Sequence, residues 1–294
     1  MSTLPFGGDE VEPAHAESAR FVLLPVPYER TTTYRKGTAA GPEALLRASA
    51  QVELFDEELR IDPLAAGVVT LPPLDCNEAP ELLAHKLETR LRPHLERGQI
   101  PGCLGGEHSI SLGPIRAAAR SRTGLGVLQI DAHPDLRDSY EGTRYGHGCV
   151  MRRVLDLPEI EALVPVGLRA VSPEEDEPLS DPRVHPFYAH DLRRRASTEQ
   201  WVGEVVDALP EWVYVTFDLD GLDPSIVPGT GTPEPGGLGW WETMTLLRTV
   251  LQRRRLAGFD VVELLPEPPA VISDFAAARV VMKILAYATV GLDG

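Results

Sequence analysis

The chain has 294 residues, 43% hydrophobic and 24% charged, with a formal net charge of −16. This is the composition of a globular protein with room for one large α/β domain or two smaller ones, and its acidity argues against a nucleic-acid surface. No apolar stretch approaches the ~20 residues of a membrane helix, and residues 1–10 lack the basic and apolar regions of a secretory signal.

Residues 1–19 are polar with interspersed Gly and Pro and are expected to form an N-terminal arm, leaving 20–294 as one domain. Phe21–Val26 reads as the first strand. Pro42 suits the first turn of a helix continuing through Arg47. Leu82, Leu83, Leu87, Leu91 and Leu95 carry helical spacing, predicting a helix over 81–96 that ends at Gly98, with Pro93 expected to kink or shorten it. Residues 100–104, 126–130, 163–168, 212–217 and 259–262 read as strands. Helices are expected near 198–209, 241–254 and 274–288. Strands alternating with helices predict an α/β protein whose parallel sheet is covered on both faces. Cys76, Cys103 and Cys149 lack metal-knuckle spacing and are expected to be reduced thiols of a cytoplasmic protein.

In such sheets, sites form beyond the carboxyl ends of the strands. Four motifs fall there: Gly105-Gly106-Glu107-His108-Ser109, Asp131-Ala132-His133-Pro134-Asp135, Asp218-Leu219-Asp220, and Glu263. If strand alternation persists, Asp131, His133 and Asp135 face one way, and Asp218 and Asp220 do the same. Four carboxylates crowded together without cations repel one another and resist desolvation, so the pattern points to bound metal. The candidate ligands are His108, Asp131, His133, Asp135, Asp218 and Asp220. Oxygen-rich ligation with some imidazole and no thiolate suits Mn²⁺ better than Fe²⁺, Co²⁺, Ni²⁺ or Zn²⁺. Four negative charges balance two divalent ions, and ions ~3.5–4 Å apart can share a water and lower its pKa toward ~7. A single metal, or Mg²⁺ at a phosphate site, is the alternative. No Gly-rich phosphate loop or basic cluster accompanies it, and Arg253-Arg254-Arg255 reads as solvated surface. Any one of these motifs alone is usually a turn or a cap; their joint placement after strands carries the metal reading.

At these residues the chain resembles the ureohydrolase family, the arginases, agmatinases and their relatives. The match extends through Tyr34-Arg35-Lys36-Gly37-Thr38, Gly146-His147-Gly148, Gly167-Leu168-Arg169 and Asp218-Leu219-Asp220-Gly221-Leu222-Asp223-Pro224. The resemblance implies a three-layer αβα sandwich with a central parallel sheet, two Mn²⁺ per subunit and a homo-oligomer, trimer or hexamer. His108 and Asp135 resemble ligands of one ion, His133 and Asp220 ligands of the other, and Asp131 and Asp218 the bridging carboxylates. His147 resembles the family's proton-shuttling histidine and Glu263 its guanidinium-binding carboxylate. The family hydrolyses guanidino groups to urea and an amine. Amines leave only when protonated, and Asp135 and His147 are the candidate acids.

The substrate tail is read from departures. Arg137 stands where arginases carry an Asn that helps bind the amino-acid carboxylate. Ala170-Val171-Ser172-Pro173-Glu174-Glu175 lacks the Asp-Val-Asp of arginases. Segments 28–59 and 135–153 look most like agmatinases. The expected substrate is therefore a small cationic guanidine, agmatine, giving putrescine and urea. Guanidinobutyrate, whose anionic tail Arg137 would suit, aminopropylagmatine, and a catalytically silent metal-binding homologue are the alternatives. Glu141, Glu174 and Glu175 are candidates to lie near the tail. Pro134 and Gly146 depart from the family pattern.

Overall fold

Apolar runs buried on both faces and alternating with amphipathic helices close as a parallel sheet between two helical layers. The computed structural model describes residues 4–8 and 15–291. In chain order the elements are β1 (Phe21–Val26), α1 (Gly41–Ser49), β2 (Val68–Thr70), α2 (Pro80–Glu96), β3 (Ile100–Gly105), α3 (Leu112–Ser121), β4 (Leu125–Ile130), α4 (Val150–Leu155), β5 (Ile160–Leu168), α5 (Asp176–Leu179), β6 (Phe187–Tyr188), α6 (Ala189–Leu192), α7 (Thr198–Ala208), β7 (Trp212–Asp218), α8 (Trp240–Arg253), β8 (Arg255–Val262) and α9 (Ile272–Thr289).

The strands form one sheet in the order β2-β1-β3-β8-β7-β4-β5-β6, and every pairing is parallel. Alternate residues feed opposite cores. Leu23, Leu128, Val215 and Phe259 pack with α1, α7, α8 and α9. Val22, Leu24 and Cys103 face α2, while Val127 and Tyr214 face α3 and α4. The result is the expected three-layer αβα sandwich. Pro93 lies in the last turn of α2, where its missing N–H leaves only one carbonyl short of a donor, and the helix continues to Glu96. Within the expected arm, Phe6 is buried and its N–H donates to Thr70 Oγ1 at 2.9 Å. Residues 1–3 and 9–14 of that arm lie outside the described residues.

The strands carrying the four motifs, β3, β8, β7 and β4, are consecutive in the middle of the sheet. Their carboxyl ends therefore lie side by side. Gly106 joins two of them to β1: its N–H donates to Val26 O at 3.0 Å, and its carbonyl accepts from Glu263 N at 2.8 Å. A Cβ on Gly106 would lie 1.9 Å from the carbonyl oxygen of Tyr28, so only glycine allows this approach. Gly106→Ala is expected to lower stability by about 3 kcal/mol, read as a fall in the urea midpoint with unchanged slope.

Candidate metal centre

His108 follows β3, Asp131 follows β4, and Asp218 ends β7. Their side chains converge. His108 Nδ1 lies 3.2 Å from Asp131 Oδ2, 3.0 Å from Asp135 Oδ2 and 3.3 Å from Asp218 Oδ2. His133 Nδ1 lies 3.1 Å from Asp220 Oδ2 and 3.6 Å from Asp131 Oδ1. Two donor groups result, His108–Asp131–Asp218 and Asp131–His133–Asp220, each with its atoms within 4.8 Å of one another. Asp131 belongs to both and turns one oxygen toward each. Octahedral donors at ~2.1 Å from a shared ion stand ~3.0 Å apart, which is the spacing around His108 Nδ1. That nitrogen is buried and has no hydrogen-bond partner. The residues present thus fit a divalent ion in each group, and all six expected ligands are brought together.

Strand alternation is not what aligns them. β4 ends at Ile130, so Asp131, His133 and Asp135 lie on a turn, and this expectation is corrected. Asp131 Oδ1 accepts the N–H of His133 at 2.6 Å, and Asp218 Oδ1 accepts that of Asp220 at 2.9 Å. These Asx turns curl the chain back within two residues. Asp135 and Glu263 have φ of 53° and 63°, in the left-handed region. Non-glycine residues held there cost on the order of 1–3 kcal/mol. Pro134 removes no needed donor: the N–H groups of Ala132, His133, Leu136 and Arg137 around it are all bonded.

The electrostatics have the same origin. Burial pushes the Asp218 carboxyl well above the carboxylate range, and Asp220 and Asp131 push it further. Burial and Asp131 likewise raise Asp135. Burial also opposes ionisation of Asp131, but His108 and His133 hold it below its usual value. Burial disfavours an imidazolium at both histidines. Asp131, Asp135 and Asp218 nevertheless raise His108 well above its ordinary value, and Asp220 with Asp131 lifts His133 to about 12. The carboxylates thus attract whatever positive charge the cluster can hold.

A row of polar residues beneath the cluster escaped the sequence reading. Gln129, Thr216 and Asp260 are register partners across β4, β7 and β8 and are fully buried. Thr216 Oγ1 donates to Asp260 Oδ1 at 2.7 Å. It therefore accepts from His108 Nε2 at 2.8 Å, and Nδ1 is the nitrogen turned toward the three carboxylates. Tyr214 OH donates to Asp260 Oδ2 at 2.8 Å, and Gln129 Nε2 donates to Asp131 Oδ2 at 2.8 Å. The available signal was a polar residue inside each apolar strand, two or three positions before the motif.

The cluster opens into a cavity of about 360 Å³ whose lining includes Tyr34, Arg137, Tyr140, His147, Glu175 and Glu263. Glu263 Oε1 accepts the N–H of His108 at 2.7 Å. Burial pushes its carboxyl up to about 8, so a cation placed against it would favour ionisation. His147 Nδ1 lies 3.2 Å from Thr31 Oγ1, and its ring meets Tyr140 edge-on. A Cβ on Gly146 would come within 3.2 Å of Thr31 Oγ1, so glycine there makes room for that hydroxyl. The Arg137 guanidinium stacks 4.3 Å over Tyr140, and its Nε donates to Ser172 Oγ at 3.2 Å. Glu175 accepts from Leu136 N, Ser172 N and Ser172 Oγ, which commits it to holding the wall. Glu174 is exposed and 3.9 Å from Arg137, and Glu141 lies outside the cavity lining.

A family model described as the Arginase family matches residues 19–287. The chain is 40% identical over 277 residues to the N(1)-aminopropylagmatine ureohydrolase of Synechocystis sp., covering 92% of this chain and 89% of the relative. It is 32% identical to the agmatinase of Pyrococcus horikoshii, covering 94% of each. Among solved structures, the agmatine ureohydrolase of Thermoplasma volcanium superposes with a TM-score of 0.86 at 29% identity, over 98% of this chain and 95% of that one.

Mn²⁺ added to chelator-treated protein should raise Tm, by the equivalent of ~2.7 kcal/mol at a hundred times Kd, with two ions bound per chain by titration calorimetry. Asp131→Asn touches both donor groups and should remove most of that gain. An undiminished gain would place the ions elsewhere.

Proposed function

The chain belongs to the arginase family, whose members are hydrolases acting on guanidino compounds, and from that premise we propose that it releases urea from N(1)-aminopropylagmatine at a two-manganese site. The observation that carries the substrate is the relative of that name, which is closer in sequence than the agmatinase. Agmatine, the first expectation from sequence, becomes the second reading. The two differ only in an aminopropyl extension of the cationic tail. Loss of urea from the longer compound leaves spermidine; loss from agmatine leaves putrescine.

His108 and Asp135 would hold one ion and His133 and Asp220 the other, with Asp131 and Asp218 shared. When bound, two such ions supply a water that ionises near neutral pH. The protein's own part begins with Glu263. With Oε1 anchored on His108 N, Oε2 lies 3.6 Å from where a Cβ on Gly231 would stand, in the cavity lining, and would take a guanidinium N–H. A charge-assisted hydrogen bond there fixes the planar cation. Asp135, whose Oδ2 lies 3.0 Å from His108 Nδ1, would take up a proton from the attacking water. His147, on the cavity wall, donates to the leaving amine nitrogen, without which the amine is not expelled. Arg137 and Tyr140 line the same cavity. Arg35, also on that wall, is ion-paired with Glu267. Arg137 keeps guanidinobutyrate in the comparison as the anionic-tail case.

Free thiols at Cys76, Cys103 and Cys149 fit a cytoplasmic enzyme, and a homo-oligomer follows from the family resemblance. Among the described residues no helix is long and apolar enough to cross a membrane.

Urea release from Mn²⁺-loaded protein should show kcat/KM for aminopropylagmatine at least ~10-fold above agmatine, equivalent to about 1.4 kcal/mol, with arginine and guanidinobutyrate far lower. Equal or greater activity on agmatine would reverse the substrate reading. Glu263→Ala should lower kcat/KM by ~10²-fold while metal stoichiometry stays at two. Loss of metal in that variant would make Glu263 a structural residue instead.

A further inference from the structure

Glu107 sits beside the ligand His108 but points away from the metal cluster. It is fully buried, and among the described residues it has no Lys or Arg ion-pair partner. Its charge is met by hydrogen bonds instead. Oε2 accepts the backbone N–H groups of Arg30 and Thr31, each at 2.6 Å. Oε1 accepts the hydroxyls of Thr31 at 2.6 Å and Ser109 at 2.5 Å. Four donors converge on it, so both of its oxygens serve as acceptors.

The Thr31 hydroxyl connects Glu107 to the cavity wall. It has one proton, and the short bond to Glu107 Oε1 uses it. Toward His147 it can then only accept. It does so twice: from the backbone N–H of His147 at 3.0 Å and from ring Nδ1 at 3.2 Å. Nδ1 must therefore carry a hydrogen. The neutral imidazole is the Nδ1–H tautomer, and Nε2, on the opposite side of the ring, is left as the atom that gains and gives up a proton. The bare position at Gly146 leaves space for this hydroxyl. The ring is fixed laterally by its edge-on contact with Tyr140, centroids 5.8 Å apart.

We propose that Glu107 and Thr31 are positioning residues that set the tautomer and orientation of His147, in the chain carboxylate–hydroxyl–imidazole. The inference rests on the reading of His147 as the acid for the leaving amine. Removing the Thr31 hydroxyl frees the ring to rotate and to place its hydrogen on Nε2, so fewer molecules present the correct protonation state. The cost falls on the chemical step and not on guanidine binding, which belongs to Glu263.

The test is a double-mutant cycle in the Mn²⁺-loaded enzyme with aminopropylagmatine, using Thr31→Val, Thr31→Ser, His147→Ala and Thr31→Val/His147→Ala. His147→Ala should lower kcat by ~10²–10⁴-fold. Thr31→Val should lower kcat by about 10-fold or more with KM within about 2-fold and metal stoichiometry unchanged. Thr31→Ser should restore most of the loss. In the His147→Ala background the Thr31→Val effect should vanish. An equal loss in both backgrounds would overturn the relay while leaving His147 as the acid. An unaltered kcat in His147→Ala would instead overturn the reading on which the relay rests. Imidazole ¹⁵N shifts, read with a diamagnetic divalent ion bound, give a second readout. The wild-type protein should show the Nδ1–H pattern at His147 and Thr31→Val should lose it; an Nε2–H pattern in the wild type would refute the assignment.

Discussion

Mutual repulsion among buried carboxylates is the constraint around which the rest of the chain is arranged. Asp131, Asp135, Asp218 and Asp220 share one small volume, where desolvation raises the cost of each negative charge. Two imidazoles meet part of that charge, and the carboxylates around them raise the basicity of His108 and His133. Divalent ions answer the remainder. The same repulsion explains why the donors come from separate strands. Asp131 and Asp218 are anchored locally, by Asx turns and, for Asp131, the Gln129 amide, while Asp220 is held by Ala132 N of the neighbouring motif and by the Thr232 hydroxyl.

The polar row beneath the cluster does a related task. Gln129, Thr216 and Asp260 occupy strand interiors where Val or Ile would pack better. They remain because each points at a ligand or at a ligand's partner. Buried polar groups are tolerable only when satisfied, and here the satisfaction is reciprocal: the threonine completes Asp260 and orients His108 at once. Glu107 and Thr31 show the same arrangement on the other side of His108, aimed at the cavity and not at the metal.

Much of the fold was legible because strands and helices announce themselves by local apolar pattern. The runs at 21–26, 100–104, 126–130 and 212–217 needed no tertiary information. β2 and β6 have three and two residues, too short for any period to register. α3 begins Leu112-Gly113-Pro114, which reads as a breaker although proline suits a first turn. The six ligands were legible as motifs, but their convergence was assigned to strand alternation when turns produce it. Thr31 and Glu107 were out of reach for a different reason. Thr31 and His147 are 116 residues apart, and no local pattern links a threonine in a loop to a histidine in a distant turn. Neither was the sheet order readable, although it alone makes the four motif-bearing strands neighbours.

That order has a consequence for how the protein is assembled. His108 and Thr216 touch across 108 residues of chain, and β3, whose end carries His108, is joined to the paired strands β7 and β4 only through β8. An emerging polypeptide can bring Asp131, His133 and Asp220 together once β4 and β7 pair, whereas the group containing His108 waits for β8, the last strand in the chain. The group built on His108 is thus completed last, and a divalent ion held there would report on a sheet already closed.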